Sequence, residues 1–379
     1  MPALALAIVA MAILVEISVR LRWEPRKGTP GFMLSDPVRL IRLAPSYDGW
    51  FAGVPVRINR LELRDPREYD LEKRPNTFRI LVLGDSVTFG HGSVYEHTYP
   101  YLLEQRLKTW RPDVDWQVWN AAVPGYNTSQ ELAHLEQVGP AFAPDLVIVG
   151  FFDNDLVANY PIRRPGAAHV ALSHVLSFVR QHVYSFELYR KVYLQAAWKL
   201  SASDAYRQRF EQLGNEESML AHTADASTLQ QQAITRYERS DELAREVPCR
   251  GDGGMIPNPN LVPAMQREPG YQAWLDAVRR FQRLHREGRY RIVFFLNVVP
   301  PACDDRFYDG GTAAINAFYL KILSDGTPAV GCYDAFRHVR PSQMPLAAGH
   351  SIGNSNDVKA EALFTFLRDH VLQPLLQAR

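Results

Sequence analysis

The chain has 379 residues, 46% of them hydrophobic and 22% charged, with 42 basic against 41 acidic side chains and a formal net charge of +1. That length admits one large α/β domain with an insertion, or two domains. The near-neutral balance, without any long run of like charges, sets nucleic-acid binding aside. No GxxxxGK[ST] loop, CxxC pair or HExxH helix occurs, so neither a metal nor a nucleotide cofactor is expected.

In chain order the first element is MPALALAIVAMAILVEISVR, in which residues 2–15 carry no charge and Glu16 alone interrupts the apolar run before Arg20. At about 1.5 Å per residue such a run just reaches across a hydrocarbon core. No basic residue precedes it, and its only Ala-x-Ala triplet, Ala10 to Ala12, lies inside the apolar stretch. An uncleaved membrane anchor over residues 1–22 is therefore expected, in preference to a cleaved signal peptide. The body that follows is expected to be extracytoplasmic. Arg20, Arg22, Arg26 and Lys27 oppose this, because the positive-inside rule keeps such a flank in the cytoplasm. A basic N-terminus upstream of Met1 would remove the conflict.

Residues 23–76 are rich in proline and charge and read as a lead-in of loops with one or two short strands. Regular alternation then begins. FRILVLGD (78–85) is a continuous apolar run, the pattern of a parallel strand covered on both faces. YPYLLEQRLKTW follows as a helix, VDWQVWNAAVPG as a second strand, TSQELAHLEQV as a helix capped by Thr128 or Ser129, and PDLVIVGFF as a third strand. The amphipathic YQAWLDAVRRFQRLHREG precedes the fourth strand, YRIVFFLNVVPP; PAVGCYDAF is a fifth, and NDVKAEALFTFLRDHVLQPLLQ a terminal helix.

These elements predict an α/β fold over 77–379: three αβα layers around a five-stranded parallel, flavodoxin-like sheet. About residues 160–285, between the third and fourth strands, a helical insertion is expected to roof the C-terminal edge of the sheet. Its RGD triplet, residues 250–252, reads as chance. Three scattered cysteines make no disulfide framework. If any pair bridges, Cys303 and Cys332 are the choice, since each follows a core strand; three unpaired thiols are the alternative.

Three predicted strands end in small or polar residues that converge on one crevice. The first supplies Gly84, Asp85 and Ser86; the second Asn120, Gly125 and Asn127; the third Gly150, Asp153, Asn154 and Asp155. A serine at a rigid strand tip has the fixed position and open approach of a nucleophile. Gly90 and Gly92 suit a turn closed to other residues. Asp85 and Asp155 read as supporting groups that accept backbone N–H bonds and hold loop shape.

GDSVTFG resembles the first block of the SGNH (GDSL-type) hydrolases, and NAAVPGYN, VGFFDND and GHSIGNSNDVKAEAL follow in the order of that family's later blocks. The resemblance implies a serine ester hydrolase or O-acyltransferase acting through an acyl-serine on a carbohydrate or lipid ester. It implies Ser86 as nucleophile, and an oxyanion hole made by the backbone N–H groups of Ser86 and Gly125 and the side-chain amide of Asn154. His350 is the implied base. The family carries an aspartate three residues before this histidine, and here that position is Ala347. Three readings stay open: a Ser86 and His350 dyad steadied by a backbone carbonyl, a carboxylate borrowed from elsewhere with Asp334 as first choice, or a catalytically impaired glycan- or partner-binding protein. His91, His97, His338 and His370 fit the base's role less well.

Overall fold

A computed structural model describes residues 2–23, 28–152, 155, 159, 162, 165–200, 266–267, 270–297, 302–303, 306–307, 312–340, 346–347 and 350–377. The apolar N-terminal run is one helix, α1 (Pro2–Arg22), with no buried residue. Two antiparallel hairpins follow: β1 (Met33–Asp36) with β2 (Leu40–Leu43), and β3 (Tyr47–Phe51) with β4 (Val54–Ile58). The lead-in thus holds more strand than expected. Pro55 lies inside β4, opposite Trp50, at a position where proline normally argues against a strand. The β3–β4 turn puts Ala52 and Gly53 both at positive φ, which matches the twist of a tight hairpin.

The main sheet starts with β5 (Thr77–Gly84), followed by the short helix α2 (Ser86–Phe89), α3 (Tyr99–Trp110), β6 (Asp115–Asn120), α4 (Thr128–Phe142) and β7 (Leu146–Phe151). Two helices, α5 (Ala167–His182) and α6 (Tyr184–Leu200), come next, then α7 (Tyr271–Arg286) and β8 (Ile292–Leu296). After the small β9–β10 ladder (Ala302–Cys303 and Arg306–Phe307) come α8 (Thr312–Leu323), β11 (Ala329–Gly331), the β12–β13 ladder (Leu346–Ala347 and His350–Ser351) and α9 (Asn354–Leu367).

All five long-sheet strands are parallel, in the order β11-β8-β7-β5-β6. This is the flavodoxin-like order, with its switch point between β5 and β7. Every residue of β5, β7 and β8 is buried. Because side chains alternate across a strand, Leu81 and Leu83 join one core with α4, α7 and α8 residues such as Leu135, Phe281 and Leu323. Ile80 and Val82 join the other with Leu103 and Leu107 of α3 and Leu363 of α9. Each fully buried side chain of this kind contributes about 1.5–3 kcal/mol, which makes the sheet a firm base for whatever stands at its tips.

Helix α7, expected within 160–285, packs Trp274, Val278 and Phe281 into the sheet's core and serves as the crossover helix to β8. Helices α5 and α6 lie against β1 and α1. The remainder of the expected roof, including the RGD triplet, lies outside the described residues. Helix α4 begins one residue earlier than expected: Asn127 is its N-cap, accepting from Gln130 N at 3.0 Å while Gln130 Oε1 accepts from Asn127 N at 3.1 Å, a reciprocal capping box.

The side chain of Cys303 lies outside the described residues, while Cys332 carries a buried thiol whose Sγ donates to the Leu296 carbonyl oxygen at 3.4 Å. Burial pushes this thiol up to about 12, so it is an inert core group.

The ladder pairs Gly84 with Gly150 at the strand tips. A Cβ on either would lie 2.2 Å from Thr88 Oγ1, and at Gly150 also 2.7 Å from Tyr99 Oη. Thr88, the third residue of α2, therefore rests where two side chains would otherwise stand. Gly150→Ala is expected to lower stability by about 1–3 kcal/mol through overpacking and to displace α2. A denaturant titration measures the first effect, and a crystal structure of the variant reports the second.

Candidate active site

Ser86 is the first residue of α2. Asp85 caps this helix, its Oδ1 accepting from Val87 N at 2.9 Å, and Gly90 ends it in a left-handed turn at φ 86°. Gly92 follows at φ 76°. These glycines permit a sharp reversal that lifts the Ser86 hydroxyl clear of the sheet.

The reversal is held from below by a side chain that sequence reading passed over. Arg64, fully buried, donates from Nη1 to the carbonyl oxygens of Phe89 and Gly90 and from Nη2 to that of Ser93. Asn120 adds Nδ2 donors to the Thr88 and Phe89 carbonyls at 3.2 and 3.4 Å, so this strand-tip residue supports the loop. From the C-terminal helix, Asn356 Nδ2 reaches Ser93 Oγ at 3.1 Å and the His97 carbonyl at 2.8 Å. Burial lowers the Arg64 guanidinium to about 9. It remains charged near neutral pH, and the carbonyl dipoles solvate it.

Ser86 Oγ lies 2.7 Å from His350 Nε2. His350 arrives on β13, where the β12–β13 ladder sets it directly across from Ala347. The position that holds the resembled family's acid is therefore the cross-strand neighbour of the histidine. Asp334 is exposed at the start of a short 3-10 helix, Asp334–His338.

Another neighbour was legible only in three dimensions. The ring of His91 stacks on that of His350 with centroids 4.3 Å apart and planes at 24°, and Phe51 meets His91 edge-on at 5.0 Å. Neither His91 nitrogen has a hydrogen-bond partner among the described residues. Burial holds its pKa well below the usual histidine range, with His350 and Arg64 adding to the shift. His91 is thus kept neutral. Its place in FGHGS, directly after the serine block, was the available signal.

Gly125 is exposed with φ 80°, and a Cβ there would meet nothing within 4 Å. Glycine is needed for that backbone angle, and the space beside it is open. Asp155 is buried and its Oδ2 accepts from Phe152 N at 3.1 Å, which fixes the loop after β7. Asn127 spends its side chain on the α4 cap. Asp153 and Asn154 lie outside the described residues. Beneath the site Glu131 is fully buried, and burial together with nearby Asp85 raises its carboxyl well above the usual range. No group of three or more metal-ligating side chains occurs among the described residues.

A cleft of about 800 Å³ lies beside this constellation, between α1, the hairpins and α5–α6; Met11, Phe32, Phe51 and Leu188 are among its walls. Ser86 and His350 do not line it, but Phe51 connects it to them through His91.

The buried histidines set a pH dependence. His134, like His91, is buried neutral, its pKa lowered to about 3 by burial and by Arg39. The unfolded chain protonates both near about 6.5 and so binds more protons on the acid side, which means stability falls as pH drops below that value. Glu131 acts oppositely: its raised carboxyl loses stability as pH climbs above the ordinary carboxyl range. His91→Phe keeps the ring packing and removes one proton. Denaturant titrations just below pH 6.5 are expected to show a slope shallower by up to about 1.4 kcal/mol per pH unit.

A family model for the GDSL-like Lipase/Acylhydrolase family matches residues 82–245. An arylesterase of Vibrio mimicus is 32% identical over 102 residues, 27% of this chain and 48% of that protein, so the chain spans about half the length of the curated relative it matches. Among solved structures, a catalytic mutant of Axe2, an acetylxylan esterase from Geobacillus stearothermophilus, is 12% identical with a TM-score of 0.39, covering 77% of this chain and 93% of that one. The lipase Lip_vut3 from a goat rumen metagenome is 14% identical with a TM-score of 0.36, covering 76% and 96%. The family match opens inside β5 and runs through the Ser86 turn and the β7 tip, so residues 82–245 of this chain are similar to the GDSL-like Lipase/Acylhydrolase family.

Proposed function

We propose that the protein is a serine ester hydrolase tethered to a membrane by α1, with Ser86 as nucleophile and His350 as general base. The observation that carries this reading is the 2.7 Å contact between Ser86 Oγ and His350 Nε2. For Nε2 to accept the serine proton, the imidazole's own proton must sit on Nδ1. As Oγ bonds to the ester carbonyl carbon, Nε2 takes the hydroxyl proton and the carbonyl oxygen becomes an oxyanion. The backbone N–H groups of Ser86 and Gly125 and the Asn154 amide are the assigned donors, each able to contribute about 3 kcal/mol. Collapse of the tetrahedral adduct breaks the ester C–O bond, and His350 returns its proton to the departing alkoxide. A water, or the hydroxyl of an acceptor sugar, then repeats the sequence on the acyl-serine; with the sugar the product is a transferred O-acyl group.

The imidazolium formed in the first step sits face to face with His91. A second cation 4.3 Å away would oppose it, and the buried, neutral state of His91 removes that opposition. In the anchor reading, α1 is the described helix long and apolar enough to cross a membrane. Carbohydrate or lipid esters in a cell envelope are the substrate class we assign, with the body on the extracytoplasmic side.

A second reading has one observation in its favour: alanine at 347, directly across from His350, leaves the usual acid absent. A binding protein would then occupy the same crevice without turnover. The two readings separate in one experiment. Detergent-purified full chain is expected to hydrolyse short-chain p-nitrophenyl esters and to label with a fluorophosphonate, and Ser86→Ala should lose at least about 100-fold in rate and all labelling. Equal inertness of wild type and variant in both assays would refute the enzyme and leave the binding protein.

A further inference from the structure

Helices α5 and α6 expose apolar stripes that the sheet domain leaves uncovered. On α5, Leu172, Val175 and Phe178 recur at helical spacing and are each more than half exposed, and Ala168 and Ala171 extend the same arc of exposed positions. The opposite side of α5 is committed: Ser173 is buried and Ser177 Oγ donates to the Ser35 carbonyl of β1 at 2.8 Å. On α6, Leu188, Tyr189, Val192 and Tyr193 form a second exposed stripe. A soluble protein rarely presents two adjoining apolar helix faces of this kind without an occupant.

The contacts of α6 point to the occupant. Glu16, the one acid within the apolar run of α1, accepts from Tyr184 N at 3.0 Å and from Ser185 N at 2.8 Å, and pairs with Arg20 at 2.6 Å. The start of α6 thus satisfies the carboxylate that would otherwise be the costliest group in a membrane helix. Around this junction Trp23 and Tyr184 meet edge-on at 5.6 Å, and Arg20 lies over the Tyr184 ring at 4.5 Å. Tryptophan, tyrosine and arginine grouped at the end of an apolar helix match the chemistry of a membrane–water boundary. Arg20, Arg22, Arg180 and Arg190 outnumber Glu16 and Glu187 there, a balance complementary to anionic lipid headgroups.

We propose that α5 and α6 form a membrane-seated hairpin whose apolar stripes lie in the headgroup and upper acyl region of the bilayer that α1 crosses, as amphipathic interfacial helices do. This rests on the reading of α1 as an anchor. The domain is then held against the bilayer at three helices in place of swinging on a tether. The contact chain from Phe32 to Phe51, at 4.1 Å, and on through His91 to His350 joins that seat to the reactive pair. The height of Ser86 above the membrane is thereby set, which suits esters presented at or near the lipid surface.

The test uses the full chain in vesicles of phosphatidylethanolamine with a minority of phosphatidylglycerol. The photo-crosslinking residue p-benzoylphenylalanine is placed singly at Val175, Phe178 and Val192, with Val9 in α1 as the anchor probe and Thr109 on the exposed face of α3 as the aqueous control. Irradiation is expected to add the mass of one phospholipid at Val9, Val175, Phe178 and Val192, and nothing at Thr109. Lipid adducts at Val9 alone would overturn the seated hairpin and leave the anchor standing. Adducts to a second polypeptide at Val175 or Phe178 would assign the stripes to a protein partner and equally overturn it. No lipid adduct at any position would overturn the anchor and this proposal together, while ester hydrolysis by the same samples reports separately on the chemistry at Ser86.

Discussion

The site depends on a close approach that only glycine allows. Parallel pairing brings Gly84 and Gly150 side by side at the tips of β5 and β7, and Thr88 occupies the space above both. With Tyr99 Oη donating to Thr88 Oγ1 at 2.9 Å, the first turn after β5 is clamped to the sheet on one side and to α3 on the other. Ser86, two residues before Thr88, inherits that fixed position. A side chain on a mobile loop samples many orientations; one on a clamped turn has lost that freedom in folding.

Electrostatics around the turn follow from burial. Arg64 places a cation under the loop and spends its donors on three backbone carbonyls. His91, desolvated and adjacent to that cation, stays neutral and presents only a ring face to His350. The Glu131 carboxyl is raised well above the usual range for the same reason of desolvation, reinforced by Asp85. His350 is in contact with the serine hydroxyl at 2.7 Å. This arrangement places an imidazole beside Ser86, with the ring of His91 against its face and alanine across from it at position 347.

The segment before the sheet proves to be part of the site's framework. Its hairpins bury Phe32, Leu34, Val54 and Val56 against Phe89, Val123 and Tyr126, residues of the serine turn and of the loop after β6. Tyr126 Oη donates to the Ile41 carbonyl at 2.7 Å, and Gln130 Nε2 to the Arg39 carbonyl. The same hairpins carry Phe51 to His91 and receive α5 on β1. Helix α5, the lead-in hairpins and the Ser86 turn are therefore linked by direct contacts.

The sequence by itself determined the sheet. Unbroken apolar runs such as ILVLG and LVIVGF have one low-energy use, as parallel strands covered on both faces, and the helices between them leave few topologies. The motif order also put Ser86, Gly125 and His350 forward by residue type and place. Only the tertiary structure decided what surrounds them. The burial of Arg64 and the stacking of His91 arise from long-range packing that no local pattern encodes, and a lead-in dense in proline and charge concealed two hairpins. The setting of Ala347 opposite His350 came from a two-residue ladder too short to leave any periodicity. The placement of α5 against β1 and of α6 against α1 was likewise out of reach. An amphipathic helix announces that it has an apolar face; which surface covers that face is settled by the neighbours the fold brings to it.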